Sequence, residues 1–201
     1  MAVTRQDVRV SEAFRQFDQA NAEDPNTDTV DGTDHPKELL YAQRMTATLE
    51  EFAPEASDEV RLAVRCQHIR RWTIPRETYP DGREGYRRWR SDLALFHADT
   101  AASIMGGIGY DQESIARVSL LLRKERLKSD PEVQLLEDVA CLVFLTHYLS
   151  AFVEKHESTK VIDILRKTWR KMSDKGHTAA LQLNWDTKTR PLVEAALSSS
   201  S

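Results

Sequence analysis

An all-α fold, a single-domain helical bundle, is predicted by three observations. No segment of the chain alternates apolar and polar residues over the length of a strand. Apolar residues instead recur at three- and four-residue spacing in one segment after another, most of them opened by a cap residue or a proline. One segment, Val139 to Phe152, is apolar over most faces, as the buried centre of a bundle is.

Each element follows from the same rules. Ser11 to Asn21 reads as the first helix, with Phe14 and Phe17 three apart, and Glu23 to Asp34 as a polar loop. His35-Pro36 opens the second helix, carrying Leu39, Leu40, Ala42, Met45 and Leu49 and stopping near Pro54. Ser57 caps the third, which carries Val60, Ala63, Val64 and Ile69 and ends before Pro75. After a loop from Thr73 to Gly85, a long helix is expected from about Tyr86 to Met105, closed by Gly106, Gly107 and Gly109. Asp111 caps the fifth helix, with Ile115, Val118, Leu121 and Leu122 on its stripe. Asp130-Pro131 opens the sixth, which runs to about Lys155. Val161 to Met172, His177 to Leu183 and Arg190 to Leu197 complete the series. Residues 1–34 thus read as a helix and polar loop, 35–197 as the all-α domain and 198–201 as a disordered serine tail.

Composition narrows the function. The 201 residues fit one domain, and 40% hydrophobic with 30% charged residues is ordinary for a water-soluble chain. A net charge of -4 excludes a globally basic nucleic-acid coat but leaves room for a local basic patch. Cys66 and Cys141 are too few for a disulfide framework or a zinc–cysteine site. Residues 1–7 lack the apolar stretch of a secretion signal, and the longest apolar run, Val139 to Leu145, is too short for a bilayer. A cytoplasmic location without a membrane partner is expected.

Two short motifs tempt and fail. Lys171-Met172-Ser173-Asp174-Lys175 resembles the KMSKS loop of class I aminoacyl-tRNA synthetases, and His68-Ile69-Arg70-Arg71 faintly resembles their HIGH element. Both need a strand handing phosphates to a helix N-terminus, and no parallel-strand pattern is present. The first reads better as a helix end ahead of Gly176. Gly106-Gly107-Ile108-Gly109 follows a helix and lacks the Gly-Lys-Ser/Thr ending of a phosphate loop. His156 and His177 are expected at solvent-facing helix ends, His147 in the core and His35 in a loop.

Two groups of residues carry chemistry. His68, His97 and Asp138, from three separate helices, form a candidate catalytic and metal set. Imidazole nitrogen and carboxylate oxygen suit one divalent ion, Zn, Mn, Fe or Ni, whose bound water could attack phosphorus. The competing reading is structural: Asp138 pairs with an arginine, and each histidine is satisfied inside the core. The second group is basic. Arg65, Arg70, Arg71, Arg76, Arg83, Arg87, Arg88 and Arg90 are interleaved with Trp72, Tyr79, Tyr86 and Trp89, and Arg123 to Lys128 adds a further patch. Arginine grips phosphate at two points and aromatic rings can stack on a base. Solvated surface charge, and for the second patch attraction to a helix C-terminus, explains single members equally well.

Longer motifs carry a resemblance. Glu38 to Met45, Gln67 to Trp72 with Ile74-Pro75-Arg76, Phe96 to Ala98, Leu122 to Glu125, Asp130 to Glu132, Leu136 to Val139 and Ile164 to Trp169 resemble a domain-of-unknown-function family. Some of its members carry a glutamyl-tRNA synthetase label. More remotely, the helix order resembles the HD-domain metal phosphohydrolases. That resemblance implies that His68 matches the histidine of the His-Asp pair, His97 the later histidine and Asp138 the distal aspartate. Ile69 stands where the paired aspartate would be, and Tyr41 or a neighbour where the first histidine would be, which leaves a degenerate fold with an anion pocket open.

The expected function is an HD-like helical domain that binds an anionic or phosphorylated small molecule, a nucleotide among the candidates. Arg65, Gln67, Arg71, Arg76, Arg90, Lys124 and Glu137 are the expected substrate-binding residues. If catalytic, it hydrolyses a phosphate ester with metal assistance. The alternative is a non-enzymatic module that binds RNA or a protein through the arginine-rich face.

Overall fold

The computed structural model describes residues 5–198. The expectations for the first residues and for the serine tail fall largely outside them. The described residues divide into two compact units, one ending at Arg126 and one starting at Leu127. The division falls between the fifth and sixth helices rather than at residue 34. The first helix packs on helices three and four, so it belongs to the core of the first unit.

The first unit contains α1 (Arg5–Asn21), a hairpin of β1 (Thr27–Val30) and β2 (Thr33–Pro36), α2 (Lys37–Phe52), α3 (Asp58–Cys66), α4 (Gly82–Ile108) and α5 (Gln112–Arg123). The hairpin departs from the expected loop. Asp31 and Gly32 both take left-handed φ, 49° and 78°, and make the tight reversal that pairs Val30 with Thr33. Its strands are polar and largely exposed, so no alternating pattern announced them.

Caps set the helix starts. Ser57 accepts from the Val60 amide and Asp111 from the Ser114 amide. Asp24 reaches across the loop to accept the Glu38 amide at 3.0 Å, in the first turn of α2. Gly109, at φ 89°, closes α4 in the left-handed conformation, and the helix runs to Ile108, three residues beyond Met105. Near the start of α4 the chain needs glycine: a Cβ on Gly85 would lie 1.9 Å from the Pro80 carbonyl oxygen.

The core of this unit is built from Phe17, Met45, Leu49, Leu62, Leu93, Met105 and Leu121, all fully buried. Arg65 ties its helices together. The guanidinium makes two hydrogen bonds to Asp18 of α1, at 2.7 and 2.5 Å, and one to Thr46 of α2 at 3.1 Å.

The second unit contains α6 (Pro131–Val143), a π-helical stretch (Phe144–Tyr148), α7 (Leu149–Lys155), α8 (Ser158–Lys171), α9 (Asp174–Leu181) and α10 (Arg190–Leu197). Asp130 caps α6 through two amides, with Pro131 in the first turn. By length and apolarity the run Pro131–Lys155 could cross a bilayer, longer than Val139 to Leu145 suggests, but half of its apolar window is buried, as in a core helix. The π stretch turns His147 to the exposed side, so the core position expected for it is not found.

Lys171 to Lys175 is a helix–helix junction. Ser173 caps α9 by accepting the Gly176 amide. Asp138 of α6 accepts from the Ser173 amide at 2.8 Å, from its hydroxyl, and from Gln134 at 3.0 Å. A Cβ on Gly176 would stand 2.8 Å from that carboxylate, which is why glycine sits in this helix. His177 stacks on Trp169 at 4.0 Å and donates from Nε2 to its carbonyl at 2.8 Å.

Candidate functional site

The stretch after α3 builds the site. The helix stops at Cys66 rather than running on towards Pro75. Arg70 turns left-handed at φ 51°, and its amide donates to the buried side-chain carbonyl of Asn21 at 3.0 Å. Ile69 drops into the core, while Gln67, His68 and Arg71 border a common cavity.

His68 is held from three sides. Glu38 and Tyr41 lie three apart on α2 and so share a face. The Tyr41 ring stacks on the imidazole at 4.1 Å and 10°. Glu38 Oε2 lies 3.2 Å from Nδ1. Arg71 Nη1 lies 3.4 Å from Nε2. A guanidinium can only donate, so the geometry assigns the proton to Nδ1, which donates to Glu38, and leaves Nε2 with its lone pair.

His97 of α4 lies beside it, with ring centroids 6.0 Å apart. Its Nδ1 donates to the Ile69 carbonyl at 2.8 Å, and Nε2 is buried without a hydrogen-bond partner. Burial, reinforced by the neighbouring His68, holds His97 down at about 3. Burial, then Arg71, Arg90, Lys124 and Lys37, push His68 well below its ordinary value. Burial lifts Glu38 to about 7 against the pull of Arg71. Both imidazoles are therefore neutral at neutral pH.

The cavity measures about 220 Å³. Its wall comprises Gln67, His68 and Arg71 from the turn after α3, and Arg90, Ser91, Leu93, Ala94 and His97 from α4. Leu122, Arg123 and Lys124 complete it from the end of α5. Among the described residues, four cationic side chains line it and no carboxylate does. The Arg71 guanidinium lies over the Trp89 ring at 4.7 Å. Lys124 sits at φ 53°, a conformation that favours glycine and costs a lysine on the order of 1 kcal/mol.

A family model described as Domain of unknown function (DUF4202) matches residues 11–193. The chain belongs to that family. No curated protein matches this DUF4202 chain, and no solved structure does.

Six residues singled out from the sequence border the DUF4202 cavity: Gln67, His68, Arg71, Arg90, His97 and Lys124. Four others are not among its lining residues. Arg65 is spent on Asp18 and Thr46. Arg76 donates to the carbonyls of Tyr79 and Pro80, pinning its own loop. Glu137 and Asp138 belong to the second unit, where Lys171 lies 3.3 Å from Glu137 and Ser173 and Gln134 occupy Asp138. The carboxylate on His68 is instead Glu38. Among the described residues, no group of three or more His, Cys, Asp and Glu side chains is arranged to hold a metal.

The donor set also disfavours the expected divalent ion. Two imidazole lone pairs are offered, but the cavity wall adds four cations and, among the described residues, no anionic ligand. Sequence reasoning missed Glu38, named Tyr41 only as standing where the first histidine of the HD-like pattern would be, and placed Arg123 in the second basic patch without assigning it to the site. The available signal was the i, i+3 spacing of an acid and an aromatic at the start of α2, which resembles ordinary first-turn acid placement.

Proposed function

We propose that the first unit binds a phosphorylated small molecule in the cavity between α3, α4 and α5. The observation that carries this reading is a concave wall with four cations and, among the described residues, no carboxylate. Arg90 of α4 and Lys124 at the end of α5 supply two of those cations. Titration calorimetry with inorganic phosphate and phosphomonoesters tests it. Arg90→Ala and Lys124→Ala should each weaken binding about tenfold, the worth of a charge-assisted hydrogen bond. Absence of binding to every phosphate ligand, or affinity unchanged in both variants, refutes the reading.

Hydrolysis of a phosphate ester is the reaction this arrangement would support. His97 Nε2, buried without a partner, would accept a hydrogen bond from the attacking water. As the new P–O bond forms the ester P–O bond breaks, the water's proton passes to the departing alkoxide, and Arg71 and Arg90 would steady charge on the phosphoryl oxygens. In this reading the domain is a degenerate HD-like fold in which His68 and His97 remain. The donor set gives no support to a resident metal, so phosphate release from phosphomonoesters should survive chelator. A cytoplasmic setting suits Cys66 and Cys141, both buried and neither in a disulfide.

A second reading, an RNA- or protein-binding face, is supported by the exposed ring of Tyr86 beside the exposed Arg87 and Arg88. Against it, Trp89 donates to the Ile74 carbonyl beneath Arg71, and Tyr79 donates to Asp92. RNA that binds equally well when phosphate fills the cavity would favour this second reading.

A further inference from the structure

Resting on the phosphate-binding reading, we propose that the cavity's ligand is a small phosphorylated polyol or sugar. Its phosphate meets Arg71, Arg90 and Lys124, and a ligand hydroxyl donates to the lone pair on His68 Nε2. Size supplies the first argument. A cavity of about 220 Å³ falls below the ~300–1,000 Å³ typical of sites for drug-sized ligands. Sugar phosphates fit that scale better than intact nucleotides.

The second argument is the type of acceptor at the wall. Glu38, 3.2 Å from Nδ1, keeps the His68 proton on that side. Tyr41, stacked at 4.1 Å, stops the ring from turning over. That nitrogen, met by Arg71 alone, is thus a fixed, uncharged acceptor among cations. A fully ionised phosphate oxygen would set lone pair against lone pair there, whereas a hydroxyl supplies the missing proton. The present contact from Arg71, at 3.4 Å, is long and is readily exchanged when that guanidinium turns to a phosphate.

Glycerol 3-phosphate and n-propyl phosphate share a three-carbon chain and a phosphate and differ in their hydroxyls. Calorimetry should find the first about tenfold tighter, the worth of one well-made hydrogen bond. Ribose 5-phosphate should behave like glycerol 3-phosphate. In His68→Phe the ratio should fall to about one, and in Glu38→Ala it should fall at least threefold, because the ring is no longer held. Equal affinities in the wild type, or a preference that survives His68→Phe, overturn the inference while leaving phosphate binding intact. If no phosphate ligand binds, the parent reading fails and this one falls with it. Nitrogen-15 NMR on the unmodified protein checks the same point without a variant: a proton on Nε2 rather than Nδ1 of His68 refutes it.

Discussion

Acidification should destabilise the first unit through His97, and His97→Asn should remove that response. The imidazole is buried, its Nδ1 proton is committed to the Ile69 carbonyl, and Nε2 faces no acceptor. A second proton would place an unpaired cation beside His68, Arg71 and Arg90. The native group sits at about 3 against an ordinary 6.5, so between those values the unfolded chain binds the proton that the native protein refuses. Stability therefore falls as pH drops below 6.5. By pH 4 the loss from this group is about 3 kcal/mol, at about 1.4 kcal/mol per pH unit. Glu38 acts in the opposite direction. Raised to about 7 from 4.5, it stabilises at low pH and loses that contribution as pH rises through 7. That contribution is common to wild type and variant. In His97→Asn the new amide could still donate to the Ile69 carbonyl but has nothing to titrate, so the variant should show a pH-independent loss and a flatter acid limb. Urea denaturation followed by circular dichroism at pH 7 and pH 4 measures both. Parallel pH profiles for the two proteins would refute the reasoning.

Other substitutions test the remaining contacts. Gly176→Ala should drive the Asp138 carboxylate away from Ser173 and cost about 1–3 kcal/mol. Thermal denaturation checks this, and the penalty should shrink in an Asp138→Ala background, where the carboxylate is gone. Arg65→Ala should cost about 2 kcal/mol or more, because Asp18 and Thr46 both lose a charged donor. Here Asp18→Asn in the wild-type background should reproduce only part of the loss, as read by urea denaturation. On the proposed reading, phosphate would be held by ionic contacts in a cavity open to solvent, so its affinity, followed by calorimetry, should weaken with added sodium chloride.

Helix placement is legible in the chain because its causes are local. Ser57, Asp111 and Asp130 mark starts that the structure keeps, and the stripe of Ile115, Val118, Leu121 and Leu122 is the buried face of α5. Lys171 to Lys175 is likewise readable as a helix end rather than a nucleotide loop. The hairpin at Asp31-Gly32 escaped because its strands bury too little to imprint an alternating pattern. Folding in three dimensions settled who meets whom. The end of α3 at Cys66 depends on Arg70 finding Asn21, forty-nine positions away. Glu38 reads locally as an acid in a first helical turn, and nothing near it in the chain announces His68. Asp138 looked equally available to a distant histidine until Ser173 and Gln134 took its oxygens. Caps and stripes follow from neighbours within a few residues, whereas a buried charge chooses its partner by distance in space, which no local pattern encodes.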